Sequence, residues 1–136
     1  MDTEARAGRT AICKGEELMA GRITVSPKEE RTIDGRTFAS KAEMNRYLEL
    51  RMAERAGVIF DLRCQPPFVL IDPFYHPLIG QFKGLKYLAD FGYFEKKNPK
   101  KEIIEDVKGH ITEIYSLKRV LLVRRYPDID FREIKV

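Results

Sequence analysis

The chain has 136 residues, with 25 Lys and Arg against 21 Asp and Glu. That length fits one domain with a real core, and the charge density belongs to soluble globular proteins. No run approaches the ~20 apolar residues of a membrane span, so membrane partners are excluded from the expectation. The net charge of +4 permits a nucleic-acid partner without demanding one.

Residues 1–33 are polar and balanced in charge, and they read as a tail or arm ahead of a domain at 34–136. Ile23 to Val25 is its one short strand candidate. The tail lacks the continuous apolar stretch of a secretory signal. Asp34-Gly35 marks a turn. Ser40-Lys41-Ala42-Glu43 is a capping box that opens a helix from about Lys41 to Ala56. Met44, Tyr47, Leu48 and Met52 form its apolar stripe, and Gly57 stops it.

A β-rich stretch follows from Ile59 to Ile71, interrupted by Pro66-Pro67, which suits an edge or a bulge. Asp72 to Gly84 reads as a loop. Lys86 to Glu95 and Glu102 to Lys108 read as two antiparallel strands joined by a longer loop, Lys96 to Lys101. Thr112 caps a second helix to about Arg125, with Ile114, Leu117, Leu121 and Leu122 inward, and Pro127 ends it. Asp130 to Val136 is a final strand, placed parallel to its neighbour by the helical crossover. The expected class is α/β, in one layer system.

Cys13 and Cys64 make neither a disulfide framework nor a zinc pattern, which points to a reducing, cytoplasmic setting. Lysines 96, 97, 100 and 101 cluster at a turn. Lys118, Arg119, Arg124 and Arg125 fall on the second helix. Taken alone, each cluster is better explained as a solvated surface.

The chemistry concentrates in Tyr87-Leu88-Ala89-Asp90-Phe91 and Ile104-Glu105-Asp106-Val107-Lys108-Gly109. Strand alternation puts Asp106 and Lys108 on one face and Glu105 and Val107 on the other. On strands ~4.8 Å apart, Asp90 and Asp106 can share a divalent cation beside an ammonium. Mg²⁺ or Mn²⁺ is the expected metal, because hard oxygen donors suit it and two carboxylates are enough. The Val107 carbonyl is a further candidate ligand. Lys108 orients or deprotonates the attacking water or acts as a fixed charge, and its carboxylate neighbours favour the fixed charge. Glu43 is the third carboxylate, although the capping box by itself accounts for a glutamate there. The competing explanation for Asp106 and Lys108 is a surface ion pair of little worth.

The ordered set of helix Glu, strand Asp and strand D-x-K resembles the PD-(D/E)xK nuclease superfamily. It is closer still to a family of small phage and prophage proteins grouped with those nucleases. The family's pattern is D-G-x-x-F-x-S-K-x-E-x-x-R-Y-x-x-L, an apolar strand with Gln, Y-x-x-D-F, and E-D-V-K-G-x-x-T. Here it reads Asp34-Gly35, Phe38, Ser40-Lys41, Glu43, Arg46-Tyr47 and Leu50, then Gln65-Pro66-Pro67-Phe68. Tyr87, Asp90-Phe91, Glu105-Asp106-Val107-Lys108-Gly109 and Thr112 complete it. Ala89 stands where the superfamily has its proline.

The resemblance implies a restriction-endonuclease-like core, a mixed sheet flanked by helices. It implies catalytic and metal roles for Glu43, Asp90, Asp106 and Lys108, and an accessory role for Gln65. Lys41, Arg46 and Lys118 become candidate phosphate contacts. The implied function is a Mg²⁺- or Mn²⁺-dependent DNA endonuclease in a phage setting, in the bacterial cytoplasm, with branched DNA as a substrate and a homodimer as a working form. No small-molecule cofactor is expected. The alternatives are a non-catalytic DNA-binding accessory protein and a structural protein on the same scaffold.

Overall fold

The computed structural model describes residues 25–136, so the strand expected at Ile23 to Val25 falls largely outside the described residues. The chain divides into two compact units, Met1–Met44 and Asn45–Val136.

In the first unit a 3₁₀ turn, Lys28–Arg31, leads into the hairpin of β1 (Thr32–Ile33) and β2 (Arg36–Thr37). Regular structure is therefore present ahead of Asp34. The hairpin turn is Asp34-Gly35, with φ of 52° and 75°. Both central residues lie in the left-handed region that a two-residue hairpin requires, which Asp and Gly tolerate. The Arg31 guanidinium donates to the carbonyls of Ser26 and Phe38 and ties the hairpin to the preceding turn. Helix α1 (Lys41–Arg55) then begins. The Ser40 hydroxyl accepts from the Glu43 backbone N–H at 3.1 Å, as the capping box predicts. Gly57, at φ 80°, follows its end.

The second unit is built on a four-stranded sheet ordered β10-β9-β8-β3. The strands are β3 (Ile59–Cys64), β8 (Phe91–Glu95), β9 (Asn98–Lys108) and β10 (Asp130–Lys135). Pairs β3–β8 and β8–β9 are antiparallel, and β9–β10 is parallel because α2 (Glu113–Arg125) makes the crossover. The sheet is thus mixed and the class α/β. Two hairpin-like pairs complete it: β4 (Pro67–Ile71) with β7 (Leu85–Leu88), and β5 (Phe74–His76) with β6 (Gly80–Phe82).

The core joins Phe68, Leu70, Tyr87, Ala89, Ile104, Tyr115 and Leu122. Ile104 packs there with Tyr115 and Leu122 of α2, whereas its neighbour Glu105 bonds Arg46 of α1. Strand alternation therefore sends even-numbered side chains of β9 to α2 and odd-numbered ones to α1. No described helix is long and apolar enough to cross a membrane.

Several expectations are corrected. Lys86 to Glu95 is two strands, broken at Ala89-Asp90, because the backbone there bonds to Pro66, Gln65 and Glu105 instead of continuing one ladder. The Asp72 to Gly84 loop contains the β5–β6 hairpin. The loop expected at Lys96 to Lys101 is a tight turn with Glu95 opposite Asn98, and β9 starts at Asn98. Pro66 separates β3 from β4, and Pro67 opens β4, where a missing N–H does least harm.

The buried positions of α1 are Glu43, Tyr47 and Leu50, while Met52 is exposed. A glutamate on the inner stripe hides the helix's true face from any hydrophobicity count. On α2, Ile114 and Leu117 are exposed, and Tyr115 and Leu122 are buried. Tyr115 takes the inner place because its ring fills the core while its hydroxyl reaches a carboxylate.

Candidate functional site

Asp90 sits at the break between β7 and β8. The β8–β9 register pairs Phe91 with Glu105, and one step further brings Asp90 abreast of Asp106. Two bonds lock it there. The Asp90 N–H donates to the Glu105 carbonyl at 3.0 Å, and the Asp90 Oδ2 accepts from the Val107 N–H at 2.7 Å. In a strand the N–H and C=O of one residue point to the same edge. The Val107 carbonyl is therefore directed to the Asp90 side of β9.

Asp106 is 3% exposed. Burial pushes its carboxyl up to about 6, against the pull of Lys108, and Glu133 adds to the rise. Lys108 Nζ stands 3.3 Å from Asp106 Oδ1 and 4.3 Å from the centre of the Tyr115 ring. The ammonium is thus gripped from two sides by a carboxylate and a π face.

Glu133 and Tyr115 are the functional neighbours that sequence reasoning missed. The parallel register sets Glu133 beside Asp106 and Lys135 beside Lys108. The signal was present as Glu133-x-Lys135, which repeats Asp106-x-Lys108, but only the pairing partner of β10 gives it meaning. The Tyr115 hydroxyl donates to Glu133 Oε2 at 2.6 Å and Arg119 donates to the same oxygen at 2.7 Å. These donors hold Glu133 below the usual carboxylate range, Tyr115 first. Burial and the same bond raise the Tyr115 hydroxyl.

A cleft of about 350 Å³ is lined by Asp90, Asp106, Lys108 and Tyr115, with Lys86 and Lys118 also contributing to its wall. The structure therefore brings together Asp90, Asp106, Lys108 and Lys118. Gln65 adopts φ 53° and its N–H donates to the Asp90 carbonyl at 2.9 Å. It supports Asp90 through the backbone and is not among the residues lining the cleft.

The remaining candidates are not among the residues lining the cleft. Glu43 belongs to the first unit, buried in the first turn of α1. Lys41, in the same unit, is exposed and lies 4.0 Å from Glu30. Arg46 is committed to carboxylates. Its Nε and Nη2 donate to the two Glu105 oxygens at 2.8 and 2.6 Å, and its Nη1 donates to Glu49. Glu105 is fully buried and also accepts from the Tyr93 hydroxyl. This bidentate clamp binds α1 to the sheet on the face opposite the cleft.

Among the described residues, no three His, Cys, Asp or Glu side chains form a ready metal cage. Mg²⁺ is commonly held by one or two carboxylates, with waters and substrate phosphates completing its shell. The donor set fits that pattern: two cleft carboxylates, one of them desolvated, and the Val107 carbonyl on the Asp90 side of β9.

The sequence profile of a family described as "Protein of unknown function (DUF1064)" matches residues 28–135. The chain belongs to that family. No curated protein and no solved structure matches it. The DUF1064 match spans both units, from the 3₁₀ turn to β10, and so contains every residue of the cleft.

Proposed function

We propose that this DUF1064 protein is a metal-dependent DNA endonuclease that hydrolyses phosphodiester bonds. The observation that carries the reading is the meeting of Asp90, Asp106 and Lys108 on one cleft with Lys86 and Lys118 beside them. Carboxylates cluster against their own repulsion only where something positive repays it, and a buried carboxylate is expensive unless paired. Lys108 repays part of that and a divalent cation repays the rest.

Asp90, Asp106 and the Val107 carbonyl would hold Mg²⁺ or Mn²⁺. Such a cation lowers the pKa of bound water and offsets charge building up on phosphorus. Lys108, fixed by Asp106 and Tyr115, presents a preorganised positive charge to the phosphate oxygens, which is worth most in a water-poor site. Lys86 and Lys118 draw the phosphate backbone to the cleft by sequence-independent attraction. With cationic groups rather than a base-reading element at the cleft, the selectivity we propose is for DNA structure, such as branched recombination or replication intermediates of a phage. A homodimer would cut paired strands together.

The test is a cleavage assay on supercoiled plasmid, linear duplex and a four-way junction, in Mg²⁺, Mn²⁺ or EDTA. We expect metal-dependent cutting that disappears in Asp106→Asn and Lys108→Ala. Salt-sensitive binding without cutting of any substrate would replace the enzyme by a DNA-binding accessory protein.

A further inference from the structure

The β5–β6 hairpin is the least protein-like surface of the described chain. From Phe74 to Phe82 it carries no Asp, Glu, Lys or Arg, in a chain that is 34% charged. Tyr75, Leu78 and Ile79 are 68%, 87% and 60% exposed. Large apolar side chains held together in water mark a contact surface.

This hairpin is braced rather than loose. Phe74 and Phe82 face each other across the pair with ring centres 5.2 Å apart. The Gln81 side-chain amide donates to the carbonyls of Phe74 and Phe82. At the tip, the Leu78 N–H donates to His76 Nδ1 at 3.0 Å and the Ile79 N–H donates to the His76 carbonyl at 3.1 Å. Pro77 fixes one more φ angle there. The apolar tip is thus presented in one shape, and little entropy is lost when it is used.

Its surroundings identify the occupant. The segment leaving the hairpin carries Lys83, and β7, which follows it, carries Lys86. Lys86 lines a cavity of about 350 Å³ at the hairpin's base together with Lys83, and it also lines the carboxylate cleft. Leu88, 58% exposed, adds an apolar side chain to the wall of that cleft. An apolar tip, a basic segment and a cleft of lysines and carboxylates, following one another in sequence from β6 through β7, match the two surfaces of opened nucleic acid. Bases offer apolar faces and the backbone offers phosphates.

We propose that the β5–β6 hairpin is a strand-separating wedge, with Tyr75, Leu78 and Ile79 stacking on the bases of an opened duplex beside the cleft. This rests on the endonuclease reading and deepens it, because it supplies the reason for choosing forked or branched DNA. Lys83 and Lys86 guide one separated strand from the wedge toward Asp90.

The test uses the full chain in Ca²⁺ or EDTA, where cutting does not interfere. The probes are a forked duplex carrying 2-aminopurine at the branch, a blunt duplex and a single strand. Wild type should bind the fork roughly tenfold better than the blunt duplex and raise the 2-aminopurine fluorescence as the base unstacks. Leu78→Ser with Ile79→Ser, and separately Tyr75→Ala, replace exposed side chains and should leave the melting temperature unchanged. Both should lose the fork preference and the fluorescence rise, yet keep single-strand binding. Equal binding of fork and blunt duplex by wild type, or an unchanged preference in the variants, would overturn the wedge. So would a shift from dimer to monomer on sedimentation of the Ser variant, which would assign the tip to a second copy of the chain. Cleavage is scored separately in Mg²⁺. A fork preference lost in the variants without cutting by wild type removes the nuclease and leaves the wedge, and metal-dependent cutting with no fork preference does the reverse.

Discussion

The Lys108 ammonium rests 4.3 Å above the Tyr115 ring, and the hydroxyl of that ring donates to Glu133 at 2.6 Å. One aromatic residue therefore positions the candidate catalytic lysine on its face and a neighbouring carboxylate at its edge. Tyr115→Phe keeps the face, so cleavage should stay within about threefold of wild type. Tyr115→Leu removes it, and loss of a cation–π contact of about 1 kcal/mol should lower kcat roughly fivefold with KM little changed. Steady-state kinetics on a junction substrate checks this, with melting temperatures to separate loss of fold. Equal kcat in both variants would remove Tyr115 from any positioning role.

Asp106 gives the fold a distinct pH dependence. Its folded pKa of about 6 lies above its ordinary value of 3.8. Between those pH values the folded chain holds a proton that the unfolded chain has lost, so this group lowers stability as pH rises through the window. The full shift corresponds to at most about 3 kcal/mol. Asp106→Asn should therefore be more stable than wild type at pH 8 and nearly equal at pH 4, by urea denaturation at both. Removal of the Lys108 partnership offsets part of the gain, leaving about 1–2 kcal/mol. A variant less stable at pH 8 would contradict the buried, underpaired state of this carboxylate.

Arg46 and Glu105 make the opposite kind of pair. Arg46→Ala leaves the fully buried Glu105 without its bidentate partner, which should cost about 3–5 kcal/mol in chemical denaturation. Arg46→Lys should recover only part, because an ammonium lacks the fork geometry. If Arg46→Ala instead keeps its stability and loses only DNA affinity, the residue is a phosphate contact after all.

Thr112 caps α2 by accepting from the Tyr115 N–H at 3.1 Å. Thr112→Ala should destabilise by about 1 kcal/mol. Since the cap begins the helix that carries Tyr115 and Lys118 to the cleft, weaker DNA binding should accompany the loss. Thr112→Ser should restore both in thermal melts and filter binding.

Local rules determined a good deal from the sequence alone. The Asp34-Gly35 turn, the Ser40 and Thr112 caps, the extents of both helices and the shared face of Asp106 and Lys108 all follow from backbone preference and side-chain period, which act over a few residues. The parallel final strand follows from its helical crossover. Only tertiary structure decided the rest, because those features depend on partners far away in the chain. Asp90 ends a strand because Gln65, Glu105 and Val107 bond around it. Glu43 and Tyr115 face inward while Met52, Ile114 and Leu117 stay in water, since burial follows the shape and polar partners of the core rather than hydrophobicity alone. Glu133 reaches Asp106 only through the register of a parallel pair. Arg46, a plausible phosphate contact in one dimension, is a half-buried clamp in three, because its guanidinium meets the charge of the buried Glu105 on a strand distant in sequence.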